Sequence, residues 1–326
     1  MADVTFRDRK QLKICFAHGA YRMADRFAAR NTGIENFEVR TVDDLKARAA
    51  DVDVIVTSMM WRNEILATVP RLKYVQSISS GTDQFDKAAF KAQGIRLASA
   101  AGVNSNAVAE HAMAMILAIE RHIVTGRDHQ LRAHWRPMLS EIATREAELA
   151  GRTMVIVGMG RIGSRLVHFA RAFDMRVIGV RRSPAGGAAG TDEIVPTSQL
   201  ARVLPGADFL VLACPLTPET ENLIDATKLA AMKPTALLVN VARGRVVDED
   251  ALIAALQSGK LRGAALDVTR AEPLPAASPL WSMPNVLIAP HTAGETQAYE
   301  DNVIDILIEN LDRLSRGETE LRNGIV

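Results

Sequence analysis

Thr153-Met154-Val155-Ile156-Val157-Gly158-Met159-Gly160-Arg161-Ile162-Gly163 is an apolar, strand-like run that closes in G-x-G-x-x-G and passes into a helical period. Each glycine has its own physical task. Gly158 permits the tight turn after the strand, Gly160 lets the backbone approach a pyrophosphate, and Gly163 lets helix and strand pack closely. The residues that follow bring free N–H groups and the positive end of a helix dipole to the anion. Three glycines alone would be weak grounds. A second strand, Met175 to Val180, follows at βαβ distance, and that context makes the segment a dinucleotide fingerprint rather than a Gly-rich turn.

Outward from this segment, short β-branched runs alternate with helical patterns, the signature of parallel sheets with helices on both faces. Before it, strands are predicted at residues 12–16, 37–42, 52–57, 74–78 and 96–99, then one helix from 106 to about 125. From residue 152 a second series is predicted at 153–157, 176–180, 209–213, 236–241, 264–268 and 286–288. Two consecutive series imply an α/β fold of two doubly wound parallel-sheet domains with a cleft between. A last helix, from about 296 to 315, follows the final strand. Residues 185–190 form only a small Gly/Ala loop.

With 326 residues, 48% hydrophobic and 24% charged, the chain has the length for two cores and an ordinary globular composition. A net charge of +1 leaves no electrostatic footprint for nucleic acid or an anionic membrane. Cys15 and Cys214 are too few for a disulfide framework and read as buried thiols in a reducing compartment. The Met1–Thr5 terminus lacks a basic region followed by an apolar one, so no secretory signal is expected. No apolar stretch reaches membrane-spanning length, since residues 107–119 carry Glu110 and His111. A cytoplasmic soluble protein is the expectation.

Three further segments carry chemistry. They are Val239-Asn240-Val241-Ala242-Arg243-Gly244-Arg245-Val246-Val247-Asp248-Glu249; Gly263-Ala264-Ala265-Leu266-Asp267-Val268 followed by Glu272-Pro273; and Asn285-Val286-Leu287-Ile288-Ala289-Pro290-His291-Thr292-Ala293-Gly294. Arg243, Glu272 and His291 each fall just past the C-terminal end of a predicted strand, the edge at which open α/β sheets bind ligands. The plainer readings are a surface arginine and a Glu-Pro loop. Asp248 reads as a helix cap. The other six histidines, His111 among them, read as surface or packed, hydrogen-bonded residues.

With these segments the chain resembles the D-isomer-specific 2-hydroxyacid dehydrogenase family over nearly its whole length. The likeness includes Ser79-Ser80-Gly81-Thr82-Asp83, Asn106-Ala107-Val108-Ala109-Glu110-His111 and Pro215-Leu216-Thr217-Pro218-Glu219-Thr220. It implies a flavodoxin-like substrate domain over 1–101 plus 292–326 and a Rossmann cofactor domain over 102–291. It also implies reduction of a small 2-keto acid, as in glyoxylate/hydroxypyruvate reductases, to the D-2-hydroxy acid. His291 would be the acid/base, a role worth roughly 10²–10⁴ in rate. Arg243 would hold the substrate carboxylate in a charge-assisted fork. Glu272 would bond the other imidazole nitrogen and favour the charged ring.

Further assignments follow from the likeness. Cofactor contacts fall on Gly158, Gly160, Arg161, Ile162, Gly163, Arg181, Arg182, Ser183, Cys214, Pro215, Thr220, Val241, Ala242, Asp267, Gly294 and Val108. Asp267 would meet the nicotinamide carboxamide; the alternative is a plain strand-end carboxylate. Ser80 and Gly81 would offer amides to the substrate carboxylate, and a simple turn is the alternative. Met60, within Met59-Met60-Trp61, would line a side-chain pocket, against an equal case for packing. No metal is implied. A homodimer is, through an arm around residues 120–150, with Trp135 reaching the neighbouring subunit's site.

One departure from the NAD pattern stands out. That pattern places Asp or Glu at the end of the second strand to bond the ribose hydroxyls. Here the strand ends in Arg181-Arg182-Ser183, which would bind a 2′-phosphate, so NADP(H) is expected over NAD(H). The competing reading stacks Arg181 on adenine and leaves Arg182 solvated. Among functions, a phosphoglycerate dehydrogenase is the runner-up, though a long form with a regulatory domain is not expected from a chain ending at Val326. Formate dehydrogenase relatives carry Gln at the place of Glu272. A different class, a dinucleotide-sensing corepressor, would keep the same catalytic residues.

Overall fold

The computed structural model describes residues 11–183 and 189–326; the Met1–Thr5 terminus and most of the 185–190 loop lie outside them. The chain divides into two units, Met1–Asn104 with Thr296–Val326, and Ser105–Glu295.

In the first unit five strands form one parallel sheet: β1 Lys13–Ala17, β2 Glu35–Val39, β3 Val54–Thr57, β4 Tyr74–Ser77 and β5 Arg96–Ala98. Their order is β2-β1-β3-β4-β5, the flavodoxin-like winding. β3 and β4 are buried at every position, as strands covered on both faces must be. The helix Tyr299–Ser315 returns to this unit. It lays Val303, Ile304, Leu307, Leu311 and Leu314 into the cluster that holds Ile14, Phe16 and Phe27. Asn310, fully buried on that helix, is satisfied at both ends. Its amide donates to Tyr74 Oη (2.9 Å) and its oxygen accepts from Arg322 N (2.7 Å).

The second unit is a seven-stranded parallel sheet: β6 Thr153–Val157, β7 Arg176–Arg181, β8 Glu193–Pro196, β9 Phe209–Leu212, β10 Leu237–Asn240, β11 Gly263–Leu266 and β12 Val286–Ile288. The order β12-β11-β10-β9-β6-β7-β8 reverses at β6. β7 and β8 extend the sheet to one side of β6, and the chain then crosses to β9 on the other. That reversal opens a crevice at the carboxyl end of β6, where the glycine fingerprint begins. The helix Ser105–Glu120 covers one face with Val108, Ala109, Ala112, Met113, Met115 and Ile116, packed with Met154, Ile156 and Val239.

Two features depart from the sequence expectation. β8 is an extra edge strand, short and ending in Pro196, which suits an edge because a central ladder needs its N–H. The single helix expected to about residue 125 stops at Glu120, and a second runs Ile123–Leu131. His122 breaks it, at φ +50° in the left-handed region. The second helix buries nothing, and Leu131, Trp135, Met138 and Ile142 beyond or at its end are exposed as well. The excursion closes on itself where it began. Ala147 N donates to Glu120 O (2.9 Å), and the fully buried Glu120 carboxylate is held by Arg152 (2.8 Å) and Arg262. Two arginines on one carboxylate matter because an unpaired buried charge costs about 3–5 kcal/mol. No helix among the described residues is long and apolar enough to cross a membrane.

Candidate active site

The three fingerprint glycines meet three different surroundings. Gly158 sits at φ +105°, and a methyl there would lie 2.6 Å from Cys214 N. A methyl at Gly163 would lie 2.0 Å from Gly158 O, so helix and strand touch backbone to backbone. A methyl at Gly160 would meet nothing within 4 Å. Gly160 is also the N-cap of the helix Arg161–Ala172 and supplies no side-chain cap. The helix start therefore has open space at its N-cap and no side chain capping its amides. An anionic diphosphate fits that description, and the residues present suit a dinucleotide.

The remaining cofactor candidates lie in the same unit. Val108 is buried on the helix Ser105–Glu120, and Cys214, Val241 and Ala242 are buried just past β9 and β10. Burial pushes the Cys214 thiol up to about 11, so it stays protonated and apolar. Pro215 is exposed, while Thr220 closes the loop: its hydroxyl donates to Pro215 O and accepts from Thr217 N, both at 2.7 Å. Arg161 and Ile162 open the helix, exposed and half-exposed. Arg181 ends β7, half-exposed, and Arg182 and Ser183 follow on the surface. Glu219 is held below the usual carboxylate range by the Thr217 hydroxyl first, then its own amide and the charge of Arg182. Arg182 thus has an acidic neighbour.

Beyond β10, β11 and β12 the chain builds a charged cluster from backbone contacts. Asn240 is 1% exposed; its Oδ1 accepts from Ala242 N (3.0 Å) and its Nδ2 donates to Arg243 O (3.1 Å), which sets the loop carrying the arginine. A methyl at Gly244 would lie 2.0 Å from the Thr269 carbonyl, so only glycine allows this loop to lie against the next one. Thr269 N donates to Glu272 Oε1 (3.2 Å). Glu272 Oε2 then faces His291 Nδ1 at 2.7 Å. A carboxylate only accepts, so Nδ1 carries the proton and Nε2 is left to exchange one with a ligand.

Charges in this cluster act on one another. The bond to Glu272 raises the His291 pKa above its ordinary value, against burial and the charge of Arg243. Burial pulls the Glu272 pKa up, but the His291 bond and charge, the Thr269 amide and Arg243 outweigh it and hold it low. Arg243 itself is half-exposed and donates to Ala242 O (2.8 Å). Arg243, Glu272 and His291 are therefore one electrostatic unit. His291 is also in the left-handed region, at φ +56°. That conformation costs a non-glycine residue roughly 1–2 kcal/mol and needs bonds to hold it. His291 N donates to Asp267 O (2.8 Å), and Thr292 N and Ala293 N donate to Asp267 Oδ1 (2.9 and 3.1 Å). Gly294 follows, half-exposed.

The substrate candidates lie in the other unit. Ser80 is exposed and Gly81 half-exposed in the loop after β4. Beneath them Ser79 bonds Ser58, and Gln84 Nε2 donates to Ser58 Oγ (2.8 Å), so the loop rests on uncharged groups. Met60 packs into the core with Trp61 and Phe85, while its neighbour Met59 is 79% exposed. Within that trio Met59 alone is exposed. Asp248 caps the helix Glu249–Gln257, accepting from Ala251 N. His111 differs from the packed, hydrogen-bonded residue expected: its Nε2 is buried with no hydrogen-bond partner among the described residues. Sequence reasoning assigned no role to Asn240, Gly244 or Thr269. The one signal for them was their place beside Arg243 and Glu272 at strand ends.

Comparison with known proteins bears on this site. Residues 113–293 match the family model described as D-isomer specific 2-hydroxyacid dehydrogenase, NAD binding domain. A glyoxylate reductase of Pyrococcus furiosus is 36% identical over 87% of this chain and 88% of its own length. A D-3-phosphoglycerate dehydrogenase of Methanocaldococcus jannaschii is 34% identical over 84% of this chain and 51% of its own. Among solved structures, the NADPH-dependent glyoxylate/hydroxypyruvate reductase of Sinorhizobium meliloti, in complex with NADP and malonate, superposes with a TM-score of 0.81. It is 27% identical, with 97% of each chain covered.

Proposed function

Because the chain belongs to the D-isomer-specific 2-hydroxyacid dehydrogenase family, we propose that it reduces a small 2-keto acid of the glyoxylate or hydroxypyruvate class with NADPH, giving the D-2-hydroxy acid. The 2.7 Å bond between His291 Nδ1 and Glu272 Oε2, beside Arg243, carries the reading. The coenzyme, when bound, would supply the hydride for the carbonyl carbon. His291 Nε2 gives its proton to the carbonyl oxygen, and Glu272 keeps the ring charged until it does so. Arg243 binds the carboxylate and draws electron density from the ketone. Ser80 and Gly81 add amide donors for the carboxylate, and Met59 or Met60 bounds the substrate's side chain.

Arg181, Arg182 and Ser183 are the proposed seat of the 2′-phosphate; the Sinorhizobium relative is itself NADPH-dependent. A cytoplasmic homodimer is proposed with this activity, since the exposed apolar side chains of residues 123–142 need cover. Phosphoglycerate-type oxidation is the second reading, favoured by the Methanocaldococcus relative.

The test is a kcat/KM panel with glyoxylate, hydroxypyruvate, phosphohydroxypyruvate, pyruvate and phenylpyruvate, each with NADPH and NADH. Glyoxylate or hydroxypyruvate with NADPH should rank first, and Arg181→Asp should raise the KM for NADPH more than that for NADH. A preference for phosphohydroxypyruvate selects the second reading. Turnover of none of them would overturn the enzyme in favour of a dinucleotide sensor.

A further inference from the structure

Asp267 directly follows β11, with its side chain 2% exposed. Its backbone carbonyl accepts from His291 N (2.8 Å) and its Oδ1 from Thr292 N (2.9 Å) and Ala293 N (3.1 Å). Its own amide donates to Asn240 O (3.0 Å), the residue that also sets the Arg243 loop. Three consecutive amides of the histidine loop therefore end on one aspartate. The first of the three belongs to a histidine at φ +56°, a conformation that relaxes unless neighbouring groups over-determine it. Glu272 fixes the imidazole at Nδ1, but a ring is only as well placed as the backbone that carries it.

A second observation points at the same oxygen. His111, on the helix Ser105–Glu120, places Nε2 3.7 Å from Asp267 Oδ1. That nitrogen is shut off from solvent and has no hydrogen-bond partner among the described residues. At 3.7 Å it stands just beyond hydrogen-bond distance of Oδ1, and a slightly closer approach would give that oxygen a third donor.

We propose that Asp267, backed by His111, is a positioning residue for His291: it clamps the 291–293 backbone so that the imidazole stands in its strained, productive pose. The proposal rests on the reading of His291 as the proton donor. It gives the Asp267 carboxylate a task that is complete before any coenzyme arrives. It also ties the helix Ser105–Glu120 to the catalytic loop through His111.

The full-length chain and its Asp267→Ala, Asp267→Asn and His111→Leu variants test this. Amide exchange at Thr292 and Ala293, and the low-field NMR signal of the His291 Nδ1 proton, are read without substrate; coenzyme Kd and kcat follow. In Asp267→Ala both amides should exchange about tenfold faster or more. The Nδ1 signal should broaden, and kcat should fall about 100-fold. Coenzyme Kd should move less than about threefold. Asp267→Asn, which keeps the acceptor and the volume, should restore most of the protection and guards against misfolding of the alanine variant. His111→Leu should speed the same exchange by about threefold. A Kd that rises in step with lost kcat, while exchange and the Nδ1 signal stay native, overturns the clamp and leaves Asp267 to the coenzyme. Unchanged exchange in His111→Leu removes His111 from it. Should the wild type reduce no keto acid, the proposed function fails, yet exchange and the Nδ1 signal still decide the clamp.

Discussion

The loop after β6 and the loops after β10, β11 and β12 lie on the same edge of one sheet, yet they are built by opposite means. The glycine loop works through missing atoms. Two of its positions leave no room for a methyl, and the third keeps open space before a helix start. The edge beyond β10, β11 and β12 works through atoms that are present and over-bonded: Asn240 and Asp267 hold the backbone at Arg243 and after His291, and the Thr269 amide holds the Glu272 carboxylate. The first kind of site is damaged by adding a carbon, the second by removing a polar atom.

Substitutions sharpen that contrast. The largest effect is expected from His291→Gln. It should lower kcat by about 10³, within the usual worth of an acid/base group, while fluorescence titration shows native coenzyme affinity. A kcat near that of the wild type would take His291 out of the chemistry.

Next comes a pair within the fingerprint. Gly163→Ala drives a methyl into Gly158 O and should lose about 3 kcal/mol in urea unfolding. Gly160→Ala should unfold at the native midpoint but bind coenzyme about tenfold more weakly, since its methyl fills only the diphosphate's place. Equal stability of the two variants would break the distinction drawn between them.

The smallest effect is a displacement along the pH axis. His291 is held above its ordinary value by Glu272, so reduction should persist above the usual histidine range and fade as pH rises through the raised pKa. In Glu272→Gln the charge that lifts it is gone, and the alkaline limb of kcat/KM for reduction should move to lower pH. A limb that stays in place would mean Glu272 only orients the ring. The linkage to stability has the same sign. The imidazolium's contribution is whole below the ordinary histidine pKa and disappears as pH passes the raised one.

Much of the fold is legible in the chain because burial on both faces forces apolar, β-branched runs that alternate with helices. β6 and β12 fall at the residues expected, and most other strands within one to three. β8 escaped because Glu193–Pro196 is four residues long with one buried position, too little for a period. The stop at Glu120 escaped because apolar spacing continues through Ile119, Ile123 and Val124, although the last two bury nothing. The site divides in the same way. Spacing announces the glycines, and strand ends give Arg243, Glu272 and His291 their order. The roles of Asn240, Thr269 and Asp267 rest on contacts with main-chain groups. Every residue has such groups, so no residue type marks them, and only folded geometry shows which are met.

Glu120 has a consequence for how this protein can change over generations. The segment from Arg121 to Glu146 starts and ends beside one buried carboxylate with two guanidinium partners, and it buries none of its own residues in between. Insertions, deletions and new side chains there are shielded from the folding core by that closed base. A lineage carrying this scaffold can redraw that exposed surface while the sheet behind it stays as it was.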